Sequence, residues 1–387
     1  MPVKNRFAEL LPEITAWRRD LHEHPELQFD LHRTSAVVAE KLREFGCDEV
    51  VTGLAKTGVV GVIRGRATAS GKVIGLRADM DALPLTEASG VEYPSKNQGV
   101  MHACGHDGHT TMLLGAAKYL AETRNFDGTA VVIFQPAEEG GAGAKVMLDD
   151  GLLERFGIQE FYGMHNWPGL PVGQFAIRPG PFFAATDNFE ITITGRGGHA
   201  AKPHENIDPV VVMAQLVLAF QSIVSRNADP VDQLVISVTS VETSSKAFNV
   251  IPPRVVLRGT VRTLSKEMRE LARARMEALC ETLPAGFGAT ATAQWRSQGY
   301  PAMVNSPAET EFAAEVARAV SGDCAEADLV MGGEDFAYLL EARPGAYILV
   351  GNGPSASLHS PEYTFDDEAM PAGCSWFAEV VERRMPA

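Results

Sequence analysis

Thr129-Ala130-Val131-Val132-Ile133-Phe134-Gln135-Pro136-Ala137-Glu138-Glu139-Gly140 is the stretch from which the rest of the chain can be read. Its first six residues carry no polar alternation, the pattern of a strand buried on both faces at the centre of a parallel sheet. Immediately past it come a proline and two adjacent glutamates. Open α/β sheets place their ligand-binding groups beyond the carboxyl ends of such strands. The expectation is therefore an α/β protein with a site on one rim of the sheet.

Neighbouring segments fit that frame. Apolar residues at helical spacing predict helices over 6–22, 32–46, 109–123 and 142–149, and apolar runs predict strands over 58–64, 72–78 and 160–164. The strand at 72–78 ends in Asp79-Met80-Asp81, and the strand at 160–164 ends at His165. Between them lies Met101-His102-Ala103-Cys104-Gly105-His106-Asp107-Gly108-His109-Thr110, dense in metal-competent side chains. Past Gly180-Pro181 the pattern shifts. Alternation at 187–194 marks a half-exposed strand, followed by a helix (206–226), two strands (233–242, 253–263), a helix (266–284) and a strand (288–296). That order, β-α-β-β-α-β, is the ferredoxin-like pattern. A helix at 307–320, a strand at 345–350 and a helix at 367–384 return to the larger domain. At 387 residues, two domains are the default.

Composition excludes some partners. A net charge of −15 argues against nucleic acid and against anionic membranes. The N-terminal stretch has no apolar core of a signal peptide, and no run of 18 apolar residues occurs, so a cytoplasmic protein with no membrane span is expected. Five scattered cysteines fit a reducing compartment.

The chemistry lies in the joint occurrence of donors. Cys104, His106, Glu139, His165 and His359 are five candidate metal ligands at or near strand ends. Singly, each is as well explained by a hydrogen-bonded or solvated turn. Together they are too many for one catalytic zinc-type ion, which keeps about three protein ligands and an open position. A thiolate bridging two ions gives each three ligands from five residues. The mixed S/N/O set suits Zn²⁺, Co²⁺ or Ni²⁺ and admits Mn²⁺. With Glu139 as a ligand, Glu138 is free to act as general base on a metal-bridging water, which makes amide hydrolysis the expected reaction.

Arg77-Ala78-Asp79-Met80-Asp81-Ala82-Leu83-Pro84, the Cys104 loop, Gln135-Pro136-Ala137-Glu138-Glu139-Gly140 and Gly198-His199-Ala200-Ala201-Lys202-Pro203 resemble the M20 metallopeptidase family. Within it they are similar to the branch of hippurate hydrolases, N-acyl-amino-acid hydrolases and auxin-conjugate hydrolases. The likeness runs from Trp17-Arg18-Arg19-Asp20-Leu21-His22 to the last helix. It implies a discontinuous metal-binding catalytic domain, 1–182 and 294–387, with an inserted ferredoxin-like lid and dimerisation domain, 183–293. It implies two divalent ions (Zn, Mn, Co or Ni) bridged by Cys104, one completed by His106 and His165, the other by Glu139 and His359. Glu138 matches the general base. Asp79 stands where other branches have histidine, so Asp79 and Asp81 are expected to orient ligands rather than bind. His199 would stabilise the oxyanion, acting across a dimer in many members, and Asn249 and Arg262 would bind the substrate carboxylate. The resemblance implies a small N-acyl amino acid as substrate and a homodimer or homotetramer formed through the lid. Rival expectations are a dipeptidase or carboxypeptidase of the same family, a cysteine hydrolase with Cys104 as nucleophile, and a non-catalytic metal-dependent binder.

Overall fold

The structure is a computed structural model and describes residues 3–296 and 299–387. Met1 and Pro2, which open the stretch read for a signal peptide, and Ser297 and Gln298, in the expected second catalytic segment, lie outside the described residues. The chain divides into two units: Met1–Gly180 with Val304–Asp328 and Asp335–Ala387, and Pro181–Met303 with Leu329–Glu334.

The first unit is built on an eight-stranded sheet, in spatial order Glu49–Leu54, Gly58–Arg64, Thr129–Gln135, Val73–Asp79, Glu160–Trp167, Gly345–Gly351, Phe175–Ile177 and Ala325–Glu326. Its centre is parallel: Val73–Asp79 pairs in parallel with Thr129–Gln135 and with Glu160–Trp167, which pairs in parallel with Gly345–Gly351. The expectation of a parallel sheet needs correction towards its edges. Gly58–Arg64 runs antiparallel to Thr129–Gln135, and Glu49–Leu54 antiparallel to Gly58–Arg64, because a three-residue turn joins those two as a hairpin. The sheet is mixed.

Both faces of the central strands are covered, which is why their sequences are mostly apolar up to the carboxyl ends. Ile74, Leu76, Ala78, Val132, Phe134, Met164 and Ile348 pack in one cluster with helices Val3–Glu23, His32–Glu44, His106–Thr123, Pro307–Ser321 and Met370–Arg384. The opposite face meets Gly143–Asp149 and Phe336–Ala342, where the Phe336 and Tyr347 rings lie 4.8 Å apart. In-register parallel pairing, Asp79 with Gln135 and Leu349 with His165, brings the carboxyl ends of four strands to one rim.

The second unit is a four-stranded antiparallel sheet in the order Leu234–Thr243, Arg254–Thr263, Ala185–Thr194, Thr290–Trp295. Helices Pro209–Arg226 and Lys266–Ala285 pack on it through Val212, Leu216, Phe220, Ile223, Met268, Ala272 and Met276. Asp208 caps the first helix by accepting from Val210 N, and Ser265 caps the second by accepting from Met268 N. Pro209–Arg226 has a mean hydropathy of 1.5 over 18 residues, enough in length and composition to cross a membrane. Its buried stripe serves the core of this unit, while Val211 and Leu218 on its other side are exposed.

Leu76 is wholly buried in a central strand. Leu76→Ala is expected to lower the stability of the first unit by about 2–5 kcal/mol, the usual cost of an unrelaxed core cavity, read as a shift of its unfolding midpoint in urea.

Candidate metal centre

Cys104 sits in a turn that ends at Gly105, and helix His106–Thr123 begins immediately after it. Gly105 has φ 81°, and a Cβ there would lie 2.4 Å from Asn166 Nδ2 and 2.5 Å from Tyr363 Oη. The backbone therefore passes where no side chain fits, and His106 enters the first helical turn with its ring against the rim. The helix starts three residues before the expected 109, so His109 is inside it.

The five expected ligands converge. Sγ of Cys104 and the donor atoms of His106 and His165 lie within 4.8 Å of one another, as do those of Cys104, Glu139 and His359. Cys104 belongs to both triads. Its sulfur is 3.4 Å from His165 Nε2, and His359 Nε2 is 3.1 Å from Glu139 Oε1. The histidines are held in one tautomer from behind. His106 Nδ1 lies 2.7 Å from the Asp81 carbonyl and His165 Nδ1 2.6 Å from the Asn166 carbonyl, so each Nδ1–H donates there. Nε2 is the nitrogen left facing the cluster, the one that metal-binding histidines present to the ion. His106 Nε2 is buried and has no hydrogen-bond partner. A buried, unpartnered imidazole nitrogen beside a thiol and a carboxylate fits a pair of divalent cations.

Electrostatics point the same way. Burial, with Glu139 nearby, raises the Cys104 thiol above its ordinary value. Hydrogen bonding with Cys104 and Glu139 pushes His359 up to about 10. Burial drives His165 well below the usual histidine range, with His109 and His106 adding to it. Cationic charge at the cluster would relieve the cost of holding sulfur and carboxylate ionised together.

The surrounding residues separate ligands from supports. Asp79 Oδ1 accepts from His109 Nδ1 at 2.6 Å and Oδ2 from Arg77 Nη1 at 2.7 Å, so both its oxygens are engaged. His109 Nε2 accepts from Asn166 N at 2.8 Å, which uses its second nitrogen. Asp79, His106 and His109 also cluster within 4.8 Å, but two of these three are satisfied by protein groups. Asp81 accepts from Glu138 N at 2.8 Å and Glu139 N at 3.1 Å and so holds the crown of the glutamate turn. Glu138 is buried beside it, and its donor groups cluster with those of Glu139 and His106.

Three supports escaped the sequence reading: Asn166, Tyr363 and Gln135. Asn166 Nδ2 donates to Cys104 O at 2.6 Å, and its Oδ1 accepts from Tyr363 Oη at 2.6 Å. The only signal was adjacency, Asn166 to His165 and Gln135 to the Pro136 turn.

The other expected site residues lie in the second unit. His199 pairs with Val250 in a two-stranded ladder, and Ala200 N donates to Asn249 O at 3.0 Å, so His199 and Asn249 are neighbours. His199 Nδ1 accepts from Ala201 N at 3.1 Å, leaving the ring hydrogen on Nε2. Arg262 is half-buried on Arg254–Thr263 and makes no ion pair among the described residues.

With this geometry, the comparisons with known proteins are direct. The model of peptidase family M20/M25/M40 matches residues 75–383, and the chain belongs to that family. It is 40% identical over 364 residues to N-acetylcysteine deacetylase of Bacillus subtilis, covering 94% of each chain. It is 40% identical over 375 residues to hippurate hydrolase of Campylobacter jejuni, covering 96% of each. A Bacillus subtilis crystal structure described as a dinuclear metal-binding peptidase of the M20 family superposes with a TM-score of 0.86 at 36% identity, covering 98% of this chain and 99% of that one.

Behind the metal loop, His22 Nδ1 lies 2.9 Å from Asp107 Oδ2 and Nε2 lies 3.0 Å from Glu87 Oε1. Burial disfavours the charged ring, but the hydrogen bonds to Asp107 and Glu87 outweigh it and raise His22 to about 9. A raised folded-state value stabilises below the unfolded pKa and is lost above the folded one. Thermal stability should therefore fall as pH rises from 6.5 to about 9. His22→Gln should flatten that window in melting curves taken across it.

Proposed function

We propose that this protein hydrolyses the amide bond of N-acyl amino acids, using two divalent ions held by Cys104, His106 and His165 on one side and Cys104, Glu139 and His359 on the other. The observation that carries this reading is the pair of triads sharing one sulfur, with Glu138 beside them. When bound, such ions polarise the scissile carbonyl and acidify water. Glu138 then takes the proton of the attacking water and returns it to the departing amine nitrogen. Asp81 keeps the Glu138 carboxylate in place through its backbone amide. A cysteine-nucleophile mechanism is disfavoured, because it leaves Glu139 and His359, gathered about the same sulfur, without a role.

We read residues 183–293 as a ferredoxin-like lid and dimerisation domain inserted in a catalytic domain of 1–182 and 294–387. The strand order of the second unit and its exposed apolar helix support this. In this reading the Nε2–H of His199 donates to the oxyanion of the tetrahedral intermediate, and Asn249 and Arg262 hold the carboxylate of the amino acid product. The second copy docks on Pro209–Arg226 and the edge strand Leu234–Thr243, where Val211, Leu218, Val235 and Val241 are exposed.

A panel of N-acetyl, N-benzoyl and indole-acetyl amino acids, assayed with Mn²⁺-, Zn²⁺-, Co²⁺- and Ni²⁺-reconstituted protein, tests the reaction. Turnover that chelator abolishes and added metal restores is the expected result. Inactivity on every member sinks the proposal, and faster cleavage of free peptides moves the assignment to a dipeptidase or carboxypeptidase. Glu138→Ala should retain two ions per chain by metal analysis and lose about 10²–10⁴-fold in kcat. Loss of the ions with the activity would make Glu138 a ligand instead. For the assembly, Leu218→Lys combined with Val235→Lys should convert a dimer to a monomer in light scattering. An unchanged mass would place the interface elsewhere.

A further inference from the structure

The Glu138–Glu139 turn belongs to a loop, 136–143, that the backbone does not favour. Ala137 (φ 57°) and Ala142 (φ 54°) are both left-handed, with Gly140 (φ 85°) between them. Non-glycine residues persist there only when their surroundings over-determine them. The two ends of the loop touch: a Cβ on Gly143 would lie 1.7 Å from Pro136 O, and Gly143 N donates to Ala137 O at 3.0 Å.

What closes those ends is a residue about two hundred positions away. Asp335 is fully buried at the start of helix Phe336–Ala342. Its Oδ1 accepts from Gln135 Nε2 at 2.9 Å and from Arg77 Nη2 at 2.7 Å. Its Oδ2 accepts from Gln135 Nε2 at 2.8 Å and from Ala144 N at 2.9 Å. Gln135 is the residue before the loop and Ala144 the residue after it. One carboxylate therefore ties both roots, while Asp81 holds the crown through Glu138 N and Glu139 N. Gln135 cannot turn its amide to suit another partner, because its Oε1 accepts from Arg77 Nε at 2.8 Å.

We propose that Asp335 is a positioning residue for the reaction, closing the loop at Gln135 and Ala144 and so fixing where the Glu138 and Glu139 carboxylates point. The proposal rests on the roles given to those two glutamates above. Asp335 belongs to neither donor triad and acts through the loop. A carboxylate is required, since it offers only acceptors to three donor groups. An asparagine there turns an N–H towards at least one of them.

Asp335→Asn tests this with two readouts. Steady-state kinetics on the best substrate of the panel should show kcat lower by about 10–100-fold, the range for residues that orient ligands, with KM nearly unchanged. Amide hydrogen exchange on the protein stripped of metal should show faster exchange across 138–146 and unchanged protection in Val73–Asp79. Wild-type kcat, or a loss of kcat without a local change in exchange, overturns the proposal. So does lost protection throughout the first unit with kcat retained, which is the signature of a merely structural residue. Should Asp335→Asn not fold, Gln135→Met removes one strap, leaves the Arg77–Asp335 pair, and is read by the same two criteria. If the wild-type protein turns over nothing in the panel, the amide-hydrolysis reading fails by itself, and the exchange measurement alone decides whether Asp335 governs the loop.

Discussion

Arg77 carries a full positive charge with its side chain closed to solvent. Burying a guanidinium is costly unless its hydrogen-bonding fork is satisfied, and removing one partner of a buried pair costs about 3–5 kcal/mol. Arg77 answers that demand with Asp79, Gln135 and Asp335. Each of these partners leads outward to the rim: Asp79 to His109, and Gln135 and Asp335 to the roots of the glutamate loop. The charge just below the rim thus organises groups from four distant parts of the chain. It also leaves Asp79 no free oxygen, so an aspartate amid histidines acts as a support.

Orientation is decided one layer behind the donors. His106 and His165 present Nε2 to the cluster because backbone carbonyls of Asp81 and Asn166 occupy their other nitrogens. Those carbonyls lie on or beside the strand ends, so the regular pleat of the sheet sets the direction of the rings. This is why a rim of parallel strands suits such chemistry: the ladder that holds the strands also aims the side chains.

Much of this was legible from sequence. The strands Thr129–Gln135 and Val73–Asp79 were readable because helices cover both of their faces, so their middles are apolar and polar residues gather at the carboxyl ends. The five donors stood out because thiol, imidazole and carboxylate groups seldom gather at strand ends without a reason. What escaped had a physical cause. Phe175–Ile177 and Ala325–Glu326 are too short to show a period. The antiparallel hairpin at the sheet margin depends on the turn between its strands rather than on their composition. Asn166, Gln135 and Tyr363 act through partners 58 to 200 positions distant, and amides and phenols carry no local mark of such pairing. The close approach of Asn166 and Tyr363 to Gly105, just ahead of the His106 helix, is visible only in the assembled fold.

Cys104 is the one side chain common to the two triads. Loss of His165 or of His359 subtracts a donor from one triad, whereas loss of the sulfur subtracts from both. Peroxide or another small oxidant that carries this thiol past the sulfenic stage would disarm the whole centre in a single irreversible event. The economy of a shared ligand is also a point of common failure, and it makes this one position the least replaceable of the five.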